Sequence, residues 1–172
     1  MTYKYIMPSP LGKLTLYSSE TALTGLYFDQ RRYCEDDLGA VYELSEPIAA
    51  AKRWLEVYFS GKIPDFVPAL APAGSPFRQE VYSLLLKIPY GQTESYGSIS
   101  RKIAEKQGKS RISAQAVGGA VGHNPISIII PCHRVVGSDG NLRGYGGGMD
   151  RKIKLMEIEK ISMDNFFKPE NS

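Results

Sequence analysis

A stretch rich in proline and glycine divides this 172-residue sequence into two parts with different patterns. Between residues 61 and 75 it contains three prolines and Gly74, which are residues that interrupt helices and central strands. Runs typical of β-strands precede this stretch, and segments with helical spacing follow it. We therefore expect two domains, residues 1–74 with the proline-rich linker at their end and residues 75–172.

The first domain is predicted to combine a small sheet with one helix. Three β-rich runs, Tyr3 to Met7, Lys13 to Tyr17 and Ala22 to Phe28, predict an antiparallel meander. Pro47 to Ser60 places apolar side chains at helical spacing, with proline at its start and glycine just past its end, and therefore predicts a helix. Trp54, the only tryptophan, is assigned to the core.

The second domain is predicted to be mainly helical. A first helix begins after Ser75 and carries an apolar stripe as far as Ile88. Two shorter helices, Tyr96 to Gln107 and Ser113 to Gly122, are separated by a turn and resemble a helix-turn-helix. The last of these helices has one surface of very small side chains, so another backbone or a nucleic acid can approach it closely; this surface includes Ala116, Val117, Gly118, Gly119 and Ala120.

The charge of the chain is unevenly distributed. The formal net charge is +3, with −2 on residues 1–74 and +5 on residues 75–172. One segment supplies much of the excess and suits either a phosphate backbone or a solvated helix face; it contains Arg101, Lys102, Lys106, Lys109 and Arg111 against Glu105.

Cysteine content and hydropathy limit the class of protein. Two cysteines, Cys34 and Cys132, are too few for a disulfide framework and lack the C-x-x-C spacing of a zinc site. A reducing cytoplasm is therefore expected. No apolar run approaches the roughly 20 residues that cross a bilayer, and no signal pattern opens the chain. We expect neither a membrane anchor nor a secretion signal.

The segment around Cys132 carries the strongest chemical signal. Ile126 to Ile130 predicts a buried strand that leads directly into Pro131, Cys132 and His133. Because proline restricts its own backbone and that of the residue before it, the sulfur is presented in one place, as a nucleophile requires. A thiol has a pKa of about 8.5, so reactivity near neutral pH needs a nearby base or cation, such as His133 or Arg134.

His133 can serve as that base only under two conditions. Neighbouring side chains of an extended segment point to opposite sides, so a turn or a bridging water must connect His133 to the sulfur. The imidazole also needs an orienting carboxylate, for which the residues alone leave Asp150, Glu157 and Glu159 open. A buried strand cysteine and an interior histidine without function remain the alternatives at this point.

The hexapeptide Ile130-Pro131-Cys132-His133-Arg134-Val135 resembles the acceptor-cysteine signature of the O6-alkylguanine-DNA alkyltransferases, also called methylated-DNA-protein-cysteine methyltransferases. The resemblance is strong over about residues 76–160 and holds only in outline before them. Further elements fall at the family's spacings: Ser95-Tyr96-Gly97, the run from Ala116 to Ala120, Asn124-Pro125, Gly144-Tyr145-Gly146-Gly147, and Lys152 with Glu159.

The resemblance implies both a fold and a function. The fold is an α/β N-terminal domain, with a ribonuclease-H-like three-stranded antiparallel sheet and a helix, plus a mainly α winged-helix-like C-terminal domain with a helix-turn-helix. The function is DNA repair by stoichiometric, suicide transfer of an alkyl group from a flipped O6-alkylguanine to Cys132, with O4-alkylthymine as an open second substrate.

The resemblance also implies a partner, double-stranded DNA, which is bound in the minor groove with little sequence specificity, and the protein is expected to be a monomer. The compact length and the absence of targeting signals favour a bacterial cytoplasmic protein. No cofactor and no metal are expected. Some relatives carry zinc in the N-terminal half, whereas residues 1–74 here contain one cysteine and no histidine.

Five catalytic roles follow from the resemblance. Cys132 is the nucleophile, His133 its base through a water, and Glu159 the carboxylate that orients His133. Asn124 braces the active-site turn, and Tyr96 donates a hydrogen bond to guanine as negative charge develops on the base. Structural alternatives stay open for the accessory residues: a core aromatic for Tyr96, a turn residue for Asn124 and a surface carboxylate for Glu159.

The resemblance assigns further residues to substrate and DNA. Backbone or side chains of Val135, Tyr145, Gly146 and Gly147 line the alkyl pocket, with loop packing as the alternative for Tyr145, and Lys152 assists the departing base. The residues expected to contact DNA are Arg101, Lys102, Lys109, Arg111, Gln115, Ala116, Gly118, Gly119 and Arg134.

One position departs from the common family pattern. Gln115 stands where relatives often have an arginine that fills the gap left by the flipped base, and Arg111, one turn earlier, is a candidate to assist. Three rival functions remain: a binder of alkylated DNA that transfers nothing, a helix-turn-helix transcription regulator, and a Cys-His hydrolase that turns over repeatedly. Binders of the first kind lack the acceptor cysteine, which is present here as Cys132. A transcription regulator needs dimerisation and sequence-specific contacts, and neither has a visible signal in this sequence.

Overall fold

The computed structural model describes residues 1–28 and 39–170, so Cys34 lies outside the described residues. It divides into two compact units. The first contains Met1–Ala73 together with Pro125–Ile129, and the second contains Gly74–Asn124 together with Ile130–Ser172.

The short segment Pro125–Ile129 departs from the predicted division, which placed it in the second domain. The N–H of Leu26 donates to the Pro125 carbonyl at 2.9 Å, and the N–H of Ser127 donates to the Leu26 carbonyl at 3.0 Å. Backbone pairing therefore ties this segment to the first unit.

The first unit contains the predicted antiparallel meander, which is confirmed and has one additional strand. Strands β1 (Tyr3–Met7), β2 (Leu14–Ser18) and β3 (Leu23–Phe28) pair in sequence, and the two-residue β4 (Val41–Tyr42) lies parallel to β1. The strand order is β3-β2-β1-β4. Helix α1 (Glu46–Phe59) packs against β2 and β3.

Helix α1 forms where its capping and apolar spacing predict it. The Ser45 hydroxyl accepts a hydrogen bond from the Ile48 N–H, and Pro47 lies in the first turn, where its missing N–H costs nothing. The helix buries an apolar face that includes Leu55. Trp54 is buried and stacks on Tyr58 with ring centroids 5.3 Å apart, so its assignment to the core is confirmed.

The second unit is mainly helical, as predicted. Its helices are α2 (Pro76–Leu85), α3 (Tyr96–Gln107), α4 (Ala114–Gly122) and α5 (Met149–Ile158). A serine caps each of the first three, and α2 ends three residues before the predicted Ile88. Helices α2, α3 and α4 contact one another. Among the described residues, every helix is too short or too polar to span a membrane.

The prediction of a strand from Ile126 to Ile130 is wrong. Ile126 makes a single bridge to Leu26, and Ile128 adopts a left-handed backbone with φ of 71°. Pro131 then forms a tight turn with φ of −81° and ψ of 65°, in which the Cys132 N–H donates to the Ile130 carbonyl at 2.8 Å. The β-branched side chains of this segment indicate burial and not strand pairing. Local turns use some of the backbone N–H and carbonyl groups that a strand would need for pairing.

Candidate active site

Cys132 begins a single 3-10 turn, Cys132–Arg134, and the turn leads into strand β6 (Val135–Val136). The turn supplies the change of direction that an extended segment lacks, so the side chains of Cys132 and His133 no longer alternate across a strand. Both side chains are buried.

A second short strand brings Tyr96 to the same place. Strand β5 (Glu94–Ser95) lies parallel to β6, with Glu94 opposite Val135 and Ser95 opposite Val136. Tyr96 is the next residue and starts α3. Burial, together with negative charge on Cys132 and against the opposing charge of Arg143, raises the pKa of the Tyr96 hydroxyl to about 12. Tyr96 therefore stays protonated and can donate a hydrogen bond beside the sulfur.

Cys132 and Tyr96 line one cavity of about 790 Å³ within the second unit. Most of its wall is backbone or small side chains, which leaves room for a planar base. The lining residues are Tyr96, Gly97, Ala114, Gln115, Gly118, Gly119, Val121, Gly122, Cys132, Gly137, Ser138, Arg143, Gly144, Tyr145 and Gly146.

Glu159, at the C-terminal end of α5, is the carboxylate that orients His133. Its Oε2 accepts a hydrogen bond from His133 Nε2, while its Oε1 accepts from Arg134 Nε at 2.8 Å and from the Gly91 N–H at 2.9 Å. Of the three carboxylates that the sequence left open, Asp150 and Glu157 are exposed. Glu159 is only 3% exposed, which makes a plain surface role incompatible with this structure.

The charges of this group determine the protonation of His133. Burial acts to raise the pKa of Glu159, but the hydrogen bond from His133, the charge that His133 carries once protonated in acid, the charge of Arg134 and the Gly91 N–H together lower it to about 2. Burial lowers the pKa of His133 and outweighs the opposing effect of Glu159. The carboxylate is therefore ionised and the imidazole neutral at pH 7. Since an ionised carboxylate only accepts, Nε2 carries the ring proton and Nδ1 is the basic nitrogen.

The expectation that Arg134 contacts DNA is wrong. Arg134 is 7% exposed, and besides its bond to Glu159 it donates from Nη1 to the Ile88 carbonyl at 2.7 Å. Its guanidinium also lies 5.8 Å from the centre of the Tyr90 ring. A buried carboxylate needs a counter-charge, and Arg134 supplies it in the interior instead of reaching outward.

Asn124 lies at the base of the turn that precedes Cys132. Its buried amide donates from Nδ2 to the Ile130 carbonyl at 2.8 Å. This bond joins residues on either side of the excursion 125–129 and restrains the approach to Pro131.

Lys152 has a different position from the one that the sequence suggests. Its side chain is fully buried, and Nζ donates to the Val135 carbonyl at 2.7 Å and to the Leu142 carbonyl at 2.5 Å. Burial lowers the pKa of its ammonium to about 8, and negative charge on Cys132 acts in the opposite direction. Through these two bonds Lys152 ties the backbone at Val135 to the backbone at Leu142. Lys152, Val135 and Gly147 are not among the cavity-lining residues.

Helix α4 presents the small surface that the sequence predicts. Ala116 and Gly119 are exposed, and Gly118 lies 4.0 Å from the Tyr96 ring, measured from the position a Cβ would occupy. The basic residues Arg101, Lys102, Lys109 and Arg111 are all exposed, although Lys102 forms an ion pair with Glu94 at 2.6 Å. These positions suit contacts to phosphates.

Several residues of the site escape sequence reasoning. Arg143, Gly137 and Ser138 line the cavity, and Gly91 binds Glu159 through its backbone. Backbone donors and loop residues leave no periodic signal in a sequence. The one available signal for Arg143 was its charge, because it directly precedes the glycine-rich loop that begins at Gly144. No cluster of three or more metal-binding His, Cys, Asp or Glu side chains occurs among residues 1–28 and 39–170.

Acid is expected to destabilise the protein through His133 and Glu159. Both pKa values are lower in the folded state, so the unfolded chain binds more protons as the pH falls below 6.5 for His133 and 4.5 for Glu159. Urea unfolding between pH 7.5 and 3 measures this loss, which we expect to be on the order of 3 kcal/mol by pH 3. The His133→Gln variant should show a smaller loss between pH 7 and 5; an equal loss in both proteins would contradict the assignment.

Family models match both parts of the chain. Residues 1–70 match the 6-O-methylguanine DNA methyltransferase, ribonuclease-like domain, and residues 76–161 match the 6-O-methylguanine DNA methyltransferase, DNA binding domain.

Similar full-length proteins agree with these matches. The methylated-DNA–protein-cysteine methyltransferase of Mycobacterium leprae is 42% identical over 154 residues, which cover 90% of each chain. The crystal structure of the Mycobacterium tuberculosis O6-methylguanine methyltransferase is 41% identical, covers 93% of both chains and superposes with a TM-score of 0.81. The Mycobacterium tuberculosis OGT in complex with DNA is 40% identical, covers 92% of both chains and has a TM-score of 0.79. With matching domains, matching fold and a buried Cys-His-Glu arrangement, this chain belongs to the methylated-DNA–protein-cysteine methyltransferase family.

Proposed function

We propose that this protein repairs DNA by moving the alkyl group of an O6-alkylguanine in double-stranded DNA onto Cys132. The observation that carries the proposal is the buried, hydrogen-bonded pair of His133 and Glu159 directly after Cys132 in the chain, where Cys132 lines a cavity together with Tyr96. It combines a thiol, a neutral imidazole, an ionised carboxylate and a hydrogen-bond donor.

The chemistry of the step follows from these protonation states. Nδ1 of His133 accepts the thiol proton of Cys132 through a water, while Glu159 stabilises the imidazolium that forms. The sulfur attacks the alkyl carbon, an S–C bond forms, and the bond between that carbon and O6 breaks. The electron pair remains on the departing guanine, and the hydrogen bond from Tyr96 stabilises the resulting charge.

Base flipping is needed because the sulfur is held on a rigid turn. The O6 atom of a stacked guanine lies inside the duplex, so the alkyl carbon reaches Cys132 only when the nucleotide swings into the cavity. The small residues of α4 suit close approach to a minor groove, and contacts to phosphates from exposed arginines and lysines require no particular base sequence.

The product limits each molecule to one reaction. A thioether is a poor leaving group, so Cys132 is not restored. Every residue of the proposed site belongs to the second unit, which supports action as a monomer. The thiol must stay reduced and meet DNA, and both conditions support a cytoplasmic location.

The DNA product provides the test. A duplex with one O6-methylguanine, in excess over protein, should lose its methyl groups rapidly and then stop at one repaired base per protein molecule. Continued turnover would favour a hydrolase, and tight binding without repair would favour a non-catalytic binder; either result would contradict the proposal. An undamaged duplex of the same sequence is the control.

Gln115 gives a further prediction. Gln115 is exposed on α4 and lines the cavity, so the substitution Gln115→Arg places a cation where DNA approaches. We expect affinity for the damaged duplex to rise roughly three- to tenfold at low salt, with a steeper salt dependence. Fluorescence anisotropy measures both quantities. The matched control is Gln92→Arg, an exposed residue outside the cavity with the same change in net charge; an equal rise in this control would show that the position has no special role.

A further inference from the structure

Arg143 lines the same cavity as Cys132 and Tyr96, and among the lining residues within 1–28 and 39–170 it is the one lysine, arginine, aspartate or glutamate. It lies on the loop that follows the buried Leu142 and precedes Tyr145. The cavity therefore receives one permanent charge, and that charge is positive.

The other two cations near the sulfur are already engaged. Lys152 donates to the carbonyls of Val135 and Leu142, and Arg134 donates to Glu159 and the Ile88 carbonyl. The backbone N–H of Arg143 donates to Asn141 Oδ1 at 2.9 Å. Within the described parts of the chain, its guanidinium makes no hydrogen bond of this kind. Its side-chain donors thus remain available to a ligand.

The backbone at Arg143 is in the left-handed region, with φ of 61°. Glycine or asparagine adopts this conformation easily, whereas an arginine costs roughly 1 kcal/mol there. A side chain kept at a strained position of a site wall is a candidate for function.

Gly137 makes room for this side chain. A Cβ on Gly137 would lie 2.7 Å from Asp139 Oδ1 and 2.9 Å from Arg143 Nε, which is closer than a Cβ approaches other atoms. The missing side chain therefore leaves space for both of these side chains next to the cavity wall. The guanidinium is also near enough to Tyr96 for its charge to oppose the rise in the pKa of that hydroxyl.

In the proposed alkyl transfer, negative charge develops on a guanine that occupies the cavity lined by Arg143. As the bond between the alkyl carbon and O6 breaks, the electron pair passes into the guanine ring. Tyr96, with its pKa of about 12, donates a hydrogen bond to the ring but does not release its proton at neutral pH. A permanent cation on the same wall stabilises the charge without any proton transfer.

We propose that Arg143 is a further catalytic residue, whose guanidinium contacts the departing guanine and stabilises its negative charge. The inference rests on the proposed function, because this charge develops only if guanine leaves. It also transfers to Arg143 the assisting role that the sequence suggests for Lys152.

Two substitutions test the proposal in the 172-residue chain. Arg143→Asn removes the charge and keeps a residue that tolerates the left-handed backbone, and Arg143→Lys retains the charge. Arg53→Ala, on an exposed part of α1, is the control. The measured quantities are the single-turnover rate constant at saturating duplex that contains O6-methylguanine and, separately, the affinity for that duplex.

We expect Arg143→Asn to reduce the rate constant by roughly 10- to 100-fold and the affinity by less than threefold, with partial recovery in Arg143→Lys. The reduction should be smaller for an 8-bromo derivative of the damaged base, because bromine stabilises the departing anion. It should persist when neutral methylphosphonates replace the phosphates that flank the lesion.

Three results would overturn the role of Arg143. A reduction that disappears with methylphosphonates assigns the guanidinium to a phosphate, an unchanged rate removes Arg143 from the reaction, and equal reductions for both leaving groups exclude charge stabilisation. In each case the wild-type protein still repairs the duplex, so the proposed function stands. Absence of transfer by the wild-type protein would instead overturn both proposals.

Discussion

The substitution Cys132→Ser is expected to reduce alkyl transfer by at least about a thousandfold while DNA binding stays within about threefold. A hydroxyl is a far weaker nucleophile than a thiol, of which a few per cent is already thiolate at neutral pH. Serine is close in size to cysteine, so the buried turn should be preserved. Repair of a duplex with one O6-methylguanine measures the first effect, and fluorescence anisotropy with the same duplex measures the second. Transfer at a rate close to that of the wild-type protein would contradict the role of Cys132 as acceptor.

The second large effect is expected from Glu159→Gln. The carboxylate accepts hydrogen bonds from His133, Arg134 and Gly91, whereas an amide has only one accepting oxygen. If the NH2 group faces His133, the imidazole loses the tautomer in which Nδ1 is basic; if it faces Arg134 and Gly91, their hydrogen bonds are lost. In both orientations Arg134 loses its buried counter-charge. We expect a transfer rate at least about a hundredfold lower and a free energy of unfolding about 3 kcal/mol lower.

Single-turnover kinetics and urea unfolding check these two quantities. Glu157→Gln is the matched control, because Glu157 lies on α5 two residues earlier and is exposed. It should change neither quantity appreciably. An effect on stability without any effect on the rate would show that Glu159 has a structural role only.

Secondary structure could be predicted where periodicity and capping agree. The strands β1 to β3 and the helices α1 to α4 show apolar spacing, and the helices begin after Ser45, Ser75, Ser95 and Ser113. Helix α5 gave no comparable signal. It begins after Gly148 without a side-chain cap, and a lysine, Lys152, occupies its buried face.

The segment before Cys132 shows why a β-branched run misleads. Its isoleucines are buried, as the pattern indicates, but a left-handed Ile128 and the tight turn at Pro131 break the extended path. Backbone angles of this kind depend on tertiary packing, which a propensity does not contain.

The reactive residues of the site could be proposed from the sequence, whereas their partners could not. Cys132 and His133 are adjacent in a specific motif, and the resemblance supplied Glu159. The ion pair with Arg134 and the bonds from Lys152 to backbone carbonyls depend on which side chains are buried together. An arginine or lysine near a reactive motif suggests contact with a ligand. In this structure both cations are buried and bind groups of the protein itself.

The most direct test of the central claim is the mass of the intact wild-type protein after incubation with a duplex that contains one O6-methylguanine, followed by peptide mapping. We expect a gain of one methyl group per molecule, located on Cys132, and no gain with undamaged duplex or with the Cys132→Ser variant. An unchanged mass after the duplex has been bound, or a methyl group on another residue, would contradict the account.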